Sequence, residues 1–376
     1  MATLDPARRR SLHSWRTGPE RWTLLRDQPT PGAALVDLAS NDYLGLSRHD
    51  ALIEAAVQAV RDDGSGAGGS RLVTGSRPRH GRLERELGEW LGRDTVLLFP
   101  SGFQANLAAV CLLADRHSTV LADRLIHHSL LVGVQASGAR LQRFRHNDLI
   151  DLERRLSKLD AGRGRVLVIS ESLFSMEGTS PDMDGLVDLC HRFGARLLLD
   201  EAHALGVLGH QGRGLGYGRE GIHLISGTFG KAFGSGGAFL ACDEVLGDRL
   251  LQSSGAFRYT TALAPALVGA AQAALDLIRS NPDWGKQLIQ RSGQWRAALA
   301  AEGWRQPDGS GQVLPLLIGP DSAALEAQAT LEQGGLLAVA IRPPTVPEGT
   351  ARLRLVLRRD LPENTLNRLL QMLPRR

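Results

Sequence analysis

Short apolar runs punctuate the middle of the chain: TVLLF (95–99), TVLAD (119–123), LQRF (141–144), VLVISE (166–171), RLLLDEA (196–202), LISGTFG (224–230) and GAFLAC (237–242). The first six are far enough apart for a strand, a crossover helix and loops, which predicts a mostly parallel sheet covered on both faces. The seventh follows the sixth too closely for a crossover and is expected as an antiparallel neighbour. Upstream, ALIEAAVQAVRDD and RHGRLERELGEWL have helical periods and flank a glycine-rich stretch at 64–70. After residue 262 the helical run ALAPALVGAAQAALDLIRS leads to QVLPLLIG, LLAVAIRPP, ARLRLVLRR and a last helix, ENTLNRLLQML. The expected organisation is an N-terminal arm (1–45), a large domain (46–262) and a smaller C-terminal α/β domain (263–376).

Composition narrows the possible partners. With 44 basic and 40 acidic residues among 376, the formal charge of +4 is too small to predict nucleic acid as a partner. Cys111, Cys190 and Cys242 are odd in number and far apart, so neither a disulfide framework nor a metal knuckle follows, and no metal is expected. No apolar run is long enough for a membrane span, and MATLDPARRRSLHSW has no apolar signal core, so a soluble cytoplasmic protein is expected.

The basic residues are unevenly chosen. Only Lys158, Lys231 and Lys286 are lysines; the other 41 are arginines, which cannot serve as amine nucleophiles. Lys158 and Lys286 sit in polar helical contexts, whereas Lys231 lies among glycines and apolar residues with no carboxylate within ten positions. Functional residues of an open parallel sheet gather at the carboxyl ends of its strands. Asp123, Glu171 and Asp200 close three of the runs, and Lys231 follows a fourth by one residue. For Asp123 an N-cap or turn role is the simpler reading. Asp200, preceded by three apolar residues, would be costly to bury without a cation.

Together these residues meet the chemical demands of pyridoxal phosphate. Lys231 offers the amine for the cofactor's aldehyde, Asp200 the carboxylate that keeps the pyridine nitrogen protonated, and His203 a donor to the phenolic oxygen. Thr228 can hydrogen-bond the phosphate, and Ser101-Gly102-Phe103, between a strand and the helical run QANLAAVCLL, can supply backbone N–H groups to it. Either His127 or His128 in DRLIHHSLL could provide a flat partner for the ring.

These segments resemble the α-oxoamine synthases, fold-type-I pyridoxal phosphate enzymes. The resemblance runs from about Leu38 to the C-terminus and rests on SNDYLGLS (40–47), GSGAGGSRLVTG (64–75), SGFQAN (101–106), ADRLIHHSLL (122–131) and SESLFSMEG (170–178). It continues through LLLDEAHALGVLG (197–209), TFGKAFGSGG (228–237) and IRPPTVPEGTARLRLVL (341–357). It implies that Lys231, Asp200 and His203 take the roles above, that His127 stacks on the ring, and that Glu171 and Ser175 are polar groups beneath the cofactor. It further implies that Asn41 and Arg354 hold the substrate carboxylate, with Arg342 as another substrate contact. Thr260 and Thr261 resemble the phosphate contact donated across a homodimer with shared active sites. The implied reaction joins L-alanine to an acyl thioester, pimeloyl-CoA or pimeloyl carrier protein, with loss of carbon dioxide. A sibling that condenses glycine with another acyl-CoA shares the same cofactor residues.

Rival readings fail on their own spacing. GSGAGG at 64–69 matches the dinucleotide pattern G-x-G-x-x-G but follows a helical segment where a strand is required, which argues against a nicotinamide oxidoreductase. DEAH at 200–203 lacks the upstream phosphate loop of an ATPase. The basic triplet Arg8–Arg10 and a pI near 9.3 have no nucleic-acid module beside them.

Overall fold

The computed structural model describes residues 6–27, 32–159, 164–306 and 308–373. The chain divides into two compact units, one of Leu46–Phe174 and Ser180–Gly285, the other of Met1–Gly45, Ser175–Thr179 and Lys286–Arg376.

In the larger unit all seven runs form strands: β1 (Thr95–Phe99), β2 (Thr119–Asp123), β3 (Arg140–Phe144), β4 (Val166–Glu171), β5 (Arg196–Asp200), β6 (Leu224–Thr228) and β7 (Ala238–Cys242). They make one sheet in the order β1-β7-β6-β5-β4-β2-β3. β7 is antiparallel to both β1 and β6, and the other pairings are parallel. All five residues of β7 are buried, as a strand covered on both faces requires. On one face Val120, Leu167, Leu198, Leu224 and Leu240 share a core with Ala105, Ala109 and Leu113 of the helix Gly102–Leu113. Small residues let neighbouring helices close up. A Cβ on Gly269 of Pro265–Ser280 would lie 2.7 Å from the Ala55 carbonyl oxygen of Asp50–Asp63.

One crossover departs from expectation. Between Asp200 and Leu224 there is no α-helix, only the short 3-10 turn His210–Gly212. Glycines 206, 209, 212, 214, 218 and 221 all have positive φ there, a conformation that an α-helix cannot accommodate.

The smaller unit holds two sheets. The first forty-five residues, expected as an arm, contribute Trp15–Thr17, Thr23–Arg26 and Leu35–Asp37 to a four-stranded sheet completed by Leu336–Leu337. Ala351–Val356 is the central strand of the second sheet, between Val313–Gly319 and Val339–Ile341. Beyond it Arg358, 4% exposed, pairs with Asp37 (3.2 Å), Asp42 (3.3 Å) and Asp360 (3.0 Å). Burial opposes its charge, but the hydrogen bonds it donates to Asp360 and the attraction of the three carboxylates outweigh that and raise its pKa. Among the described residues no helix is long and apolar enough to cross a membrane.

Candidate active site

The carboxyl ends of β4, β5 and β6 and the start of the helix after β1 meet around a cavity of about 210 Å³ in the larger unit. Glu171, Asp200, His203, Thr228 and Lys231 line it, with Gly102, Phe103 and His127. Parallel register makes the first two neighbours, since Glu171 is paired with Asp200. His127 lines the cavity; His128, next to it, does not.

Each side chain is held for a local reason. Pro100 follows β1, and Ser101, in extended conformation, caps the next helix by accepting from Gln104 N–H at 3.3 Å. The following N–H groups of Gly102 and Phe103 have no intrahelical acceptor and border the cavity, which is how helix starts bind anions. A Cβ on Gly102 would come no closer than 4.0 Å to Thr228 Oγ1. Thr228 Oγ1 donates to the Gly237 carbonyl at 2.9 Å and accepts from Gly230 N–H at 3.1 Å. Lys231 Nζ lies 2.7 Å from His203 Nε2.

Asp200 is 5% exposed and forms no ion pair with lysine, arginine or histidine among the described residues. Its oxygens accept from Asn106 Nδ2 (2.8 Å) and Ala202 N–H (2.9 Å). A buried carboxylate held by neutral donors alone calls for a cation from outside the chain. With two free N–H groups for a phosphate and a half-buried amine, the donor set fits pyridoxal 5'-phosphate. Glu171 accepts from His127 N–H at 2.5 Å. Burial, and then the charge of Asp200, push its carboxyl well above the usual range, against the opposing effects of Lys231 and this hydrogen bond. Partial burial lowers the pKa of His127, which favours a neutral ring.

The other expected residues lie elsewhere. Thr260 and Thr261 belong to the larger unit but do not line its cavity; Thr261 is exposed and bridges to Ser70. Ser175, Asn41, Arg342 and Arg354 belong to the smaller unit. There Arg354, 7% exposed, donates to Asn41 Oδ1 at 2.9 Å and to the Ser175 carbonyl at 2.6 Å, with no carboxylate partner among the described residues. Arg352, two positions away, is already paired with Glu177 at 3.3 Å. Arg342 donates to the Ala7 carbonyl and borders a groove with Arg10 and Thr345.

Sequence reasoning missed Asn106, Ser226 and Glu201. Asn106 stood inside SGFQAN with nothing to mark its side chain, and Ser226 becomes visible only through its register with Asp200. Glu201 is fully buried, facing away from Asp200 as alternation requires. It accepts from Ser172 Oγ (2.9 Å), Leu215 N–H (3.1 Å) and Gly216 N–H (2.5 Å), tying the glycine-rich crossover to the end of β5.

Burial raises the Glu201 pKa from 4.5 to about 7, partly offset by the Gly216, Ser172 and Leu215 donors. Between those values the folded state holds a proton that the unfolded state has released, so this residue's contribution to stability falls as pH rises across that window. Thermal midpoints of wild type and Glu201→Gln, measured from pH 4.5 to 7.5, should show the wild type losing more stability with rising pH. Parallel curves would exclude Glu201 as the titrating group.

Comparisons with known proteins agree with this architecture. Residues 33–373 match the family described as aminotransferase class I and II. The chain is 43% identical to an 8-amino-7-oxononanoate synthase of Gluconacetobacter diazotrophicus, over 91% of this chain and 88% of that protein. The solved serine palmitoyltransferase of Sphingomonas wittichii superposes with a TM-score of 0.91 at 26% identity, covering 98% of this chain and 92% of that one. A further structure with the same TM-score, of SPT, was solved with PLP. An 8-amino-7-oxononanoate synthase of Francisella tularensis gives 0.78 at 26% identity, covering 90% of this chain and 96% of that one.

Fold and site define a fold-type-I enzyme of pyridoxal 5'-phosphate. Within the aminotransferase class I and II family, the chain belongs to the α-oxoamine synthases, which are acyltransferases.

Proposed function

We propose that this chain condenses L-alanine with a pimeloyl thioester, carried by CoA or a carrier protein. The products are 8-amino-7-oxononanoate, carbon dioxide and the free thiol, a step of biotin biosynthesis. The reading draws on the 43% identity to a synthase of that name, and it is carried by one geometric observation: Lys231 Nζ sits 2.7 Å from His203 Nε2 in the cavity that also holds Asp200.

Asp200 would receive the protonated pyridine nitrogen, His203 the phenolic oxygen, and Ser101, Gly102, Phe103 and Thr228 the phosphate. When bound, pyridoxal 5'-phosphate supplies an electron sink for charge left at the substrate Cα. Lys231, as the free amine, takes the Cα proton; His203, within hydrogen-bond reach, orients that amine. His127 covers one face of the ring, and Glu171 fixes the His127 backbone. Arg354 with Asn41 receives the alanine carboxylate through paired N–H donors, and Arg342 adds a substrate contact. Ser175 is assigned beside the cofactor. Thr260 and Thr261 are assigned to the phosphate of a partner subunit in a homodimer. Their place outside their own cavity, and the exposure of Val73 (77%) and Tyr259 (81%), support that assembly.

Purified protein assayed with L-alanine, glycine or L-serine against pimeloyl, acetyl and palmitoyl thioesters should turn over alanine with the pimeloyl donor best. A preference of more than about tenfold in kcat/KM for glycine with acetyl-CoA would reassign the chain to a sibling such as glycine C-acetyltransferase.

A further inference from the structure

We propose that Asn106 is a positioning residue that sets the cofactor's two ring contacts together, the carboxylate at its nitrogen and the imidazole on its face. The inference rests on the assignment of Asp200 and His127 to that ring. Asn106 sits on an otherwise apolar buried face of Gly102–Leu113, between Ala105 and Ala108–Ala109, and is 3% exposed.

Its amide nitrogen has two N–H donors and both are used. One goes to Asp200 Oδ2 at 2.8 Å and the other to Ser129 Oγ at 2.9 Å. Ser129 Oγ in turn lies 2.7 Å from His127 Nδ1, which also faces the Ser129 backbone N–H at 3.3 Å. An Nδ1 that accepts from a backbone amide carries a lone pair. Ser129 therefore donates its hydroxyl proton to Nδ1 and accepts from Asn106, and the network assigns the ring proton to Nε2. Every donor in the chain from Asn106 to His127 has a direction. Reversing the amide would place its oxygen against the Asp200 carboxylate.

Asn106 Oδ1, by contrast, is buried and accepts no hydrogen bond. A buried asparagine kept only for packing would be better replaced by leucine, of similar volume and with no carbonyl left unsatisfied. What the asparagine adds is its pair of N–H groups, and they join residues from two strand ends: Asp200 at the end of β5 and the His127 loop after β2. Tilt of the ring nitrogen partner and tilt of the stacking ring are coupled through one side chain.

The test uses the holoenzyme and the variants Asn106→Leu and Ser129→Ala, read by visible circular dichroism of the bound cofactor, its dissociation constant by dialysis, the pH midpoint of its visible absorbance, and steady-state kcat and KM. Asn106→Leu should weaken cofactor binding by about 10- to 100-fold and lower kcat by a similar factor, with KM for the amino acid within about threefold. Its visible dichroism should drop by about half or more and its pH midpoint should move, neither of which lost packing alone would produce. Ser129→Ala, a smaller change, should alter the dichroism while keeping most cofactor affinity, and its effect should not add to that of Asn106→Leu. Wild-type dichroism and pH midpoint in Ser129→Ala would overturn the coupling even if Asn106→Leu failed to fold. The same wild-type values in a folded Asn106→Leu would overturn the positioning role. A wild-type protein with no visible band would instead sink the cofactor reading, and this inference with it.

Discussion

Lys231→Ala is expected to lose turnover by at least about a thousandfold while its thermal midpoint stays within a few degrees of wild type. Lys231 is half-buried in a loop after β6, where its side chain hydrogen-bonds His203. Truncation leaves no cavity in the hydrophobic core, and His203 can turn to solvent or water. Chemistry has no substitute to call on. Lys158 and Lys286 are the other two lysines, neither lines the cavity, and an arginine cannot lose its proton at working pH. Lys231→Arg should therefore be as inactive as Lys231→Ala. Thioester consumption followed with a thiol reagent, alongside melting of both variants, checks the pair. Turnover within tenfold of wild type in either would remove the amine from the proposed mechanism.

Asp200→Asn should lower kcat by about 10²- to 10⁴-fold and weaken cofactor binding, for two separable reasons. The charge that would keep the pyridine nitrogen protonated is gone. In addition, both Asp200 oxygens now accept, one from Asn106 and one from Ala202, so an amide there sets an N–H donor against another donor. Asp200→Glu separates them: it keeps the charge and the acceptor chemistry, so it is expected to retain more kcat than Asp200→Asn while its displaced oxygens still weaken the contacts to Asn106 and Ala202. Wild-type kcat in Asp200→Asn alone would show that the ring nitrogen has no need of this carboxylate.

The parts of the fold that could be read directly were those where one physical pattern had no competitor. Six of the seven runs are mostly buried and appear in the sequence as apolar strings, the edge strand Arg140–Phe144 being exposed at three of its five positions, and the short step from β6 to β7 fixed the antiparallel turn of the last strand. The strands at Trp15–Thr17 and Thr23–Arg26 were illegible because their arginines and partial exposure erase any apolar period. The missing helix after Asp200 was signalled by its glycines, but only the buried Glu201 explains how such a segment keeps its shape. For the candidate site, titratable residues at strand ends announced themselves by type. Asn106 did not, because an amide inside an apolar helix becomes informative only when its two partners are known.

Glu171 and Asp200 face each other as register partners on neighbouring strands, a juxtaposition fixed by the pairing and not by the length of the turn that leads into β5. A residue added at the exposed turn about Gly194 would be absorbed at the surface, leaving the two carboxyls side by side. Deleting one residue inside Arg196–Asp200 would send Asp200 to the opposite side of the sheet. That turn can therefore change in size while the five residues of β5 stay fixed in number.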